Sequence, residues 1–373
     1  METYQKEQIS VKLTNELGKN FEERASEYDT QGTFVEKNYR ELKEHGYFIA
    51  LIPQELGGLG ITHSELCDHI RIIGTHCGST ALALSMHSHL VAANVWKYQK
   101  GLGGADVLKK VVDKELVLIS TGARDWLESN GEMVKVQDGY LVSGMKFFAS
   151  QSAFGQVAVT SAPYQDPVEG WQVLHFGVPL SSEGVTVLND WDTLGMRGTG
   201  SNTIKFEKVF VPESAIVLKR PQGEFHPFWN VVLTVAMPLI MSAYVGIAQR
   251  AYSVAVEKAK KNPDPRPHLP YQVGEIHNEL VLSETLWKDM VRITNNLEFE
   301  PVDQLSSAIL SRKTLVSKSV IEVVNKAIAM VGGGSFYKTS ILERLSRDIQ
   351  ASKFHPLQEK DQQLLVAQRI LGS

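Results

Sequence analysis

The side chains able to do chemistry are few and scattered along the chain. His87 and His89 lie in a mostly apolar segment, Thr80 to Tyr98; His355 stands before Pro356, and Glu359 follows three residues beyond that proline. A neutral imidazole is a competent base near pH 7. Each of these histidines also has an ordinary structural role open to it: His87 and His89 as hydrogen-bonded core residues, His355 as the cap of a turn. Gly332, Gly333 and Gly334 stop the helical pattern that precedes them, as glycine does at a helix C-terminus. Cys67 and Cys77 make no disulfide framework and read as inert thiols.

These residues need elements to hold them. The first third reads as helical. Phe34 to His45 is charged and periodic and stops at Gly46, Ser64 to Thr75 carries Leu66, Ile70 and Ile73 at helical spacing, and Gly78 interrupts before the apolar segment with the two histidines. A segment apolar nearly all round belongs inside a helical cluster. Near Leu116 the pattern changes to short runs rich in Val, Phe and Thr, among them Gly139 to Val142, Val157 to Ser161, Val173 to Val178 and Thr203 to Val211, which read as strands. After Phe225 the pattern is helical again: Val231 to Lys260 with a kink expected at Pro238, a loop at Lys261 to Pro267, then Val273 to Asn296 and Leu305 to Val331. The expected order is a helical domain over 1–115, a β domain over 116–225 and a helical domain over 226–373.

The composition is that of an ordinary globular chain: 373 residues, 43% hydrophobic and 21% charged, with a formal net charge of -4 and no basic run. A nucleic-acid partner is therefore not expected. The first nineteen residues lack the apolar stretch of a signal peptide. The longest apolar candidate, Val231 to Val245, is interrupted by Thr234 and Pro238, so no membrane span and a cytoplasmic location are expected.

Three segments together resemble the acyl-CoA dehydrogenase family. They are Gly46-Tyr47-Phe48 through Leu56-Gly57-Gly58-Leu59-Gly60; Leu194-Gly195-Met196-Arg197-Gly198-Thr199-Gly200-Ser201 followed by Phe206 through Val211-Pro212; and Gly332-Gly333-Gly334 with Leu345 and Arg347-Asp348. The resemblance implies an α+β multidomain fold: an N-terminal helical domain, a central β-barrel-like domain and a C-terminal four-helix bundle. It implies FAD between the β domain and the bundle, a homotetramer or homodimer, and a small-molecule or acyl-thioester substrate.

The same resemblance assigns flavin contacts. Phe148 falls where the family covers the isoalloxazine with an aromatic ring, and Ser150 where a hydroxyl reaches flavin N5; such a donor helps place charge on the reduced ring. Ser120 and Thr121 fall on a pair that contacts the pyrimidine. The family's following Gly-Ser-Asp turn is replaced by Gly122-Ala123-Arg124-Asp125, and Trp126 reads as a packing aromatic. Gly332, Gly333 and Gly334 fall on the turn near the adenosine pyrophosphate, where close backbone approach needs residues without Cβ. Ala329 replaces the family's glutamine there. The family's arginine after the long helix is also missing, and Arg266 could substitute from the loop. These departures admit FMN as an alternative.

Acyl-CoA dehydrogenases need a carboxylate to take the α-proton. The two positions where the family supplies one are Pro356 and Ala236 here. That leaves three readings. In the first, the chain oxidises an acyl thioester with His355 or Glu359 as base and an electron-transfer flavoprotein as acceptor. In the second, it resembles the family's two-component monooxygenases, which take reduced flavin from a reductase and hold a C4a-peroxyflavin in a dry pocket; His87 or His89, Ser150 and His355 resemble the groups that recur there. In the third, it is a non-catalytic paralogue.

Overall fold

A computed structural model describes residues 9–121, 127–261 and 266–372. Residues 122–126, with Trp126 among them, and residues 262–265 lie outside the described residues. Helix α1 (Val11–Gln31) is capped by the Ser10 side chain and stopped by left-handed Gly32; it was not assigned from the sequence, because its charged residues outnumber the apolar ones that mark a face. Helix α2 (Glu36–Glu44) follows. Helix α3 (His63–His76) opens with a reciprocal Thr62–Glu65 capping box. Only Cys77 separates it from α4 (Gly78–Gln99), which is buried on every side over most of its length, as its composition requires. Helix α5 (Ala105–Asp113) leads to the sheet.

Eight strands follow: β1 (Leu118–Ser120), β2 (Glu132–Val136), β3 (Gly139–Lys146), β4 (Val157–Asp166), β5 (Gly170–Pro179), β6 (Val185–Val187), β7 (Ile204–Pro212) and β8 (Ile216–Pro221). Their order is β6-β7-β3-β2-β4-β5-β8, with β1 laid parallel on β4. The remaining pairs are antiparallel apart from a parallel Met133–Tyr164 bridge between β2 and β4. Val142, Leu174, Phe176, Phe206 and Val209 fill a core that belongs to the sheet alone.

The C-terminal part is α6 (Phe228–Lys260), α7 (Leu269–Thr294), α8 (Asp303–Val331), α9 (Ile341–Asp348) and α10 (Glu359–Leu371). Helices α6, α7 and α8 pack together, with α10 against α8, and α6 also packs on α3 and α4. The approach of α3 to α6 is close. A Cβ at Gly74 would strike the Ala243 carbonyl, and one at Gly246 the Arg71 carbonyl. Two helical segments far apart in sequence thus share one hydrophobic core.

Helix α6 runs unbroken through Pro238, and its apolar length corrects one expectation. Proline cannot donate to the carbonyl four residues earlier, and here that carbonyl, Thr234 O, accepts from Thr294 Oγ1 at 3.3 Å. The helix is also long and apolar enough to cross a membrane, with a mean hydropathy of 2.1 over its most apolar window. That window is 94% buried, so its apolarity belongs to the shared core.

Candidate functional site

The two glycine- and arginine-bearing motifs, far apart in sequence, close on each other. Arg347 donates to both carboxylate oxygens of Asp29 on α1 (2.9 and 2.6 Å) and to the Leu194 carbonyl (3.0 Å). Arg197 donates to the Asp29 carbonyl, the Asp192 carboxylate and the Thr193 carbonyl. The Met196 N–H donates to buried Asp348 at 2.5 Å. Gly195 has no room for a Cβ because the Arg347–Asp348 backbone lies against it. This clamp ties α1, the loop before β7 and α9 together, and it sets the positions of Thr199, Ser201 and the turn leading to His355.

Thr199, Ser201 and Ser150 form a chain of buried hydroxyls. Ser201 donates to Ser150 Oγ (2.8 Å), and Thr199 Oγ1 lies 2.7 Å from Ser201 Oγ. Thr199's proton goes to the Met196 carbonyl (2.9 Å) and Ser201's to Ser150, which leaves Ser150 its own proton for an outside acceptor. Two residues earlier, Phe148 has φ of 56°, an unusual value for a bulky residue. Its ring is 50% exposed, edge-on to Trp191 at 6.1 Å.

His87 is a strut. Its Nδ1 accepts the Leu118 N–H (3.0 Å), which places the ring proton on Nε2, and Nε2 donates to the Phe48 carbonyl (2.8 Å). Burial holds it neutral, pushed down to about 4. Both nitrogens are committed, so His87 has neither a free lone pair nor a free proton. The Leu118 carbonyl in turn accepts from Gln151 Nε2 (2.8 Å), and the Tyr39 hydroxyl donates to Gln151 Oε1 (2.6 Å). The turn bearing Ser150 is thereby tied to the histidine-bearing stretch of α4.

His89 is different. Its Nδ1 is buried and makes no hydrogen bond among the described residues. A buried polar atom left in this way can pair with a bound ligand group. Burial, and then the neighbouring His87, push it down to about 3. His355 is likewise pushed to about 3, by burial, Lys313 and His89 in that order. His355 Nε2 lies 2.6 Å from the hydroxyl of fully buried Tyr244. Buried Lys313 donates to the carbonyls of His355 (2.7 Å) and Leu357 (3.0 Å), fixing the backbone on either side of Pro356.

Residues 5–113 match the acyl-CoA dehydrogenase N-terminal domain family. Over 354 residues, and 90% of each chain, the sequence is 25% identical to a putative acyl-CoA dehydrogenase, YdbM of Bacillus subtilis. Residues 5–113 thus carry that family's N-terminal domain, and most of the chain is similar to its members. It is also 26% identical over 351 residues to the amino sugar nitrososynthase DnmZ of Streptomyces peucetius, covering 88% of this chain and 84% of the other. Among solved structures, KijD3 in complex with FMN and a dTDP-amino-keto sugar superposes with a TM-score of 0.87 at 25% identity, covering 97% of this chain and 93% of the other.

The remaining expected site residues are dispersed. Ser120 ends β1 beside Val159. The Thr121 hydroxyl donates to Thr160 Oγ1 at 2.8 Å, inside the sheet. Gly332, Gly333 and Gly334 form a turn after α8, with open space where side chains would stand; Gly332 has φ of 76° and ψ of -154°, a glycine conformation. Arg266 reaches the same end of α8, donating to the Met330 carbonyl at 3.0 Å. Glu359 opens α10 and faces solvent, 42% exposed and paired with Lys318 at 2.6 Å. At the family's alternative carboxylate position, Ala236 is buried beside Met237.

Sequence reasoning did not find Tyr244, Lys313, Thr199 or Ser201 as members of the site. For Lys313 a signal existed: it lies on the face of α8 that carries Val316, Val320 and Val323, where a lone cation must find acceptors once buried.

Proposed function

We propose that this chain is the oxygenase component of a two-component flavin system. It takes reduced FMN or FAD from a separate reductase and transfers one oxygen atom to a small molecule. The observation that carries this reading is the orphaned Nδ1 of buried His89, beside His355 and with no carboxylate among its described partners. The exposed ring of Phe148 and the unspent proton of Ser150 fit a flat ring bearing acceptor nitrogens and oxygens. Bound reduced flavin would supply the two electrons that let one atom of dioxygen pass to substrate while the other leaves as water. Ser150 would orient the ring by donating to it, Phe148 would pack on it and exclude water, and the neutral imidazoles of His89 and His355 would offer polar contacts to the reacting groups. Amines are the first substrates to try, because the nitrososynthase relative is named for an amino sugar.

The competing reading, thioester oxidation, rests on the putative dehydrogenase relative and would need Glu359 as base. Anaerobic titration separates the two. Reduced flavin is expected to bind more tightly than oxidised flavin, and a pulse of oxygen to produce a transient absorbance that neither flavin form shows. Tightly held oxidised FAD that bleaches on adding an acyl-CoA would overturn the proposal. Glu359→Gln is expected to leave turnover within about twofold, whereas removal of a true general base costs roughly two to four orders of magnitude.

A further inference from the structure

Tyr244 is fully buried, and its hydroxyl makes one hydrogen bond among the described residues, to His355 Nε2 at 2.6 Å. A buried phenol proton needs an acceptor, and the burial that raises Tyr244's pKa well above 10 keeps that proton on the oxygen. The proton therefore points at Nε2, which must present its lone pair. Because His355 is neutral, its own proton sits on Nδ1. That nitrogen makes no hydrogen bond among the described residues, and the ring is only partly buried.

We infer that Tyr244 fixes His355 as the Nδ1–H tautomer, so that His355 meets its ligand as a hydrogen-bond donor and not as a base. Tyr244 is a positioning residue in this account, with Lys313 as its companion: the hydroxyl sets the proton and the ammonium sets the backbone. The inference deepens the oxygenase reading. It rests on that reading for the identity of the ligand, an acceptor oxygen or nitrogen of the bound flavin and oxygen, but not for the tautomer. It also removes His355 from the role of α-proton base, because the one lone pair on its ring is occupied.

The test is 15N-histidine NMR on the flavin-free protein, with His355→Gln used to assign the signal. His355 is expected to show a protonated Nδ1 and an unprotonated Nε2 at pH 7. Tyr244→Phe keeps the ring and its packing but removes the donor, and it is expected to shift His355 toward the Nε2–H form at an unchanged melting temperature. An Nε2–H tautomer in the parent, or an unaltered tautomer in Tyr244→Phe, would overturn the inference. Should Tyr244→Phe fail to fold, the parent spectrum alone still decides. With reduced flavin bound, the same variant is expected to release hydrogen peroxide after oxygen addition roughly fivefold sooner, the worth of about one hydrogen bond, at similar flavin affinity. Failure to bind reduced flavin at all would sink the oxygenase proposal and leave the tautomer assignment standing.

Discussion

Residues two apart on one helix have different duties here, and the difference can be measured. His87→Ala leaves the Phe48 carbonyl and the Leu118 N–H buried without a partner, each at a cost of about 1–3 kcal/mol, besides the lost ring packing. A fall in unfolding free energy of about 3–5 kcal/mol is expected in urea titration; a loss under 1 kcal/mol would show that His87 is not a strut. His89→Ala removes a buried polar atom that already lacks a partner. It is expected to cost less stability than His87→Ala, because only ring packing is lost, while lowering flavin or oxygen reactivity. The Ser150 chain makes a second expectation. Ser201→Ala removes the donor that turns Ser150's proton outward, so reduced-flavin affinity should fall by roughly fivefold, with Ser201→Thr restoring most of it. Equal affinity in Ser201→Ala would mean that Ser150's proton direction is irrelevant. At this scale the sequence carried the identities of His89, His355 and Ser150 but not their bonding. Nothing in the spacing of His87 and His89 separates the strut from the orphan, since both sit in the same apolar run and His87's partners come from distant Phe48 and Leu118.

Elements were more legible than contacts. The apolar periodicity of α3 and α8, the all-round apolarity of α4 and the strand runs follow from local pattern. What periodicity could not convey is that Leu194–Ser201 and Arg347–Asp348 are two halves of one clamp, because the clamp is made of backbone carbonyls and charges from three elements. Its chemistry yields an expectation with a definite sign. Burial raises Asp348 from its usual carboxylate range to about 6, against the lowering effect of the Met196 N–H. Its folded value lies above its unfolded one, so its contribution is fully present below the unfolded value near 4 and is lost as pH rises through about 6. Asp348→Asn keeps an acceptor for Met196 without the buried charge. At pH 7.5 it is expected to match or exceed the parent in stability, and to lose that advantage by pH 5. An Asn variant less stable than the parent at pH 7.5 would show that the charge itself holds the clamp. Arg347→Ala, which strands the Asp29 carboxylate, is expected to destabilise by about 3 kcal/mol at either pH.

Across the whole molecule, histidine burial outweighs that one carboxylate. Burial pushes His63 and His87 down to about 4 and His89, His175 and His355 down to about 3, all below the ordinary imidazole value. These residues come from α3, α4, β5 and the segment after α9, so neutral imidazoles are spread through the molecule. In each case the unfolded chain binds a proton that the folded chain refuses. Stability is therefore present above about pH 6.5 and drains away as pH falls toward 3–4. Each such proton is worth roughly 1.4 kcal/mol per pH unit, and Asp348 opposes the trend with one proton below about pH 6. The net expectation is a loss on the order of 3–5 kcal/mol between pH 6 and pH 5, a large share of the 5–15 kcal/mol that typically holds a folded protein. Urea midpoints measured from pH 7.5 to 5 should fall steeply, and calorimetry in buffers of different ionisation enthalpy should register several protons taken up on unfolding. A flat midpoint over that range would mean that the histidines reach solvent in the folded state. The site would then be wet, and the dry pocket on which oxygen transfer depends would go with it.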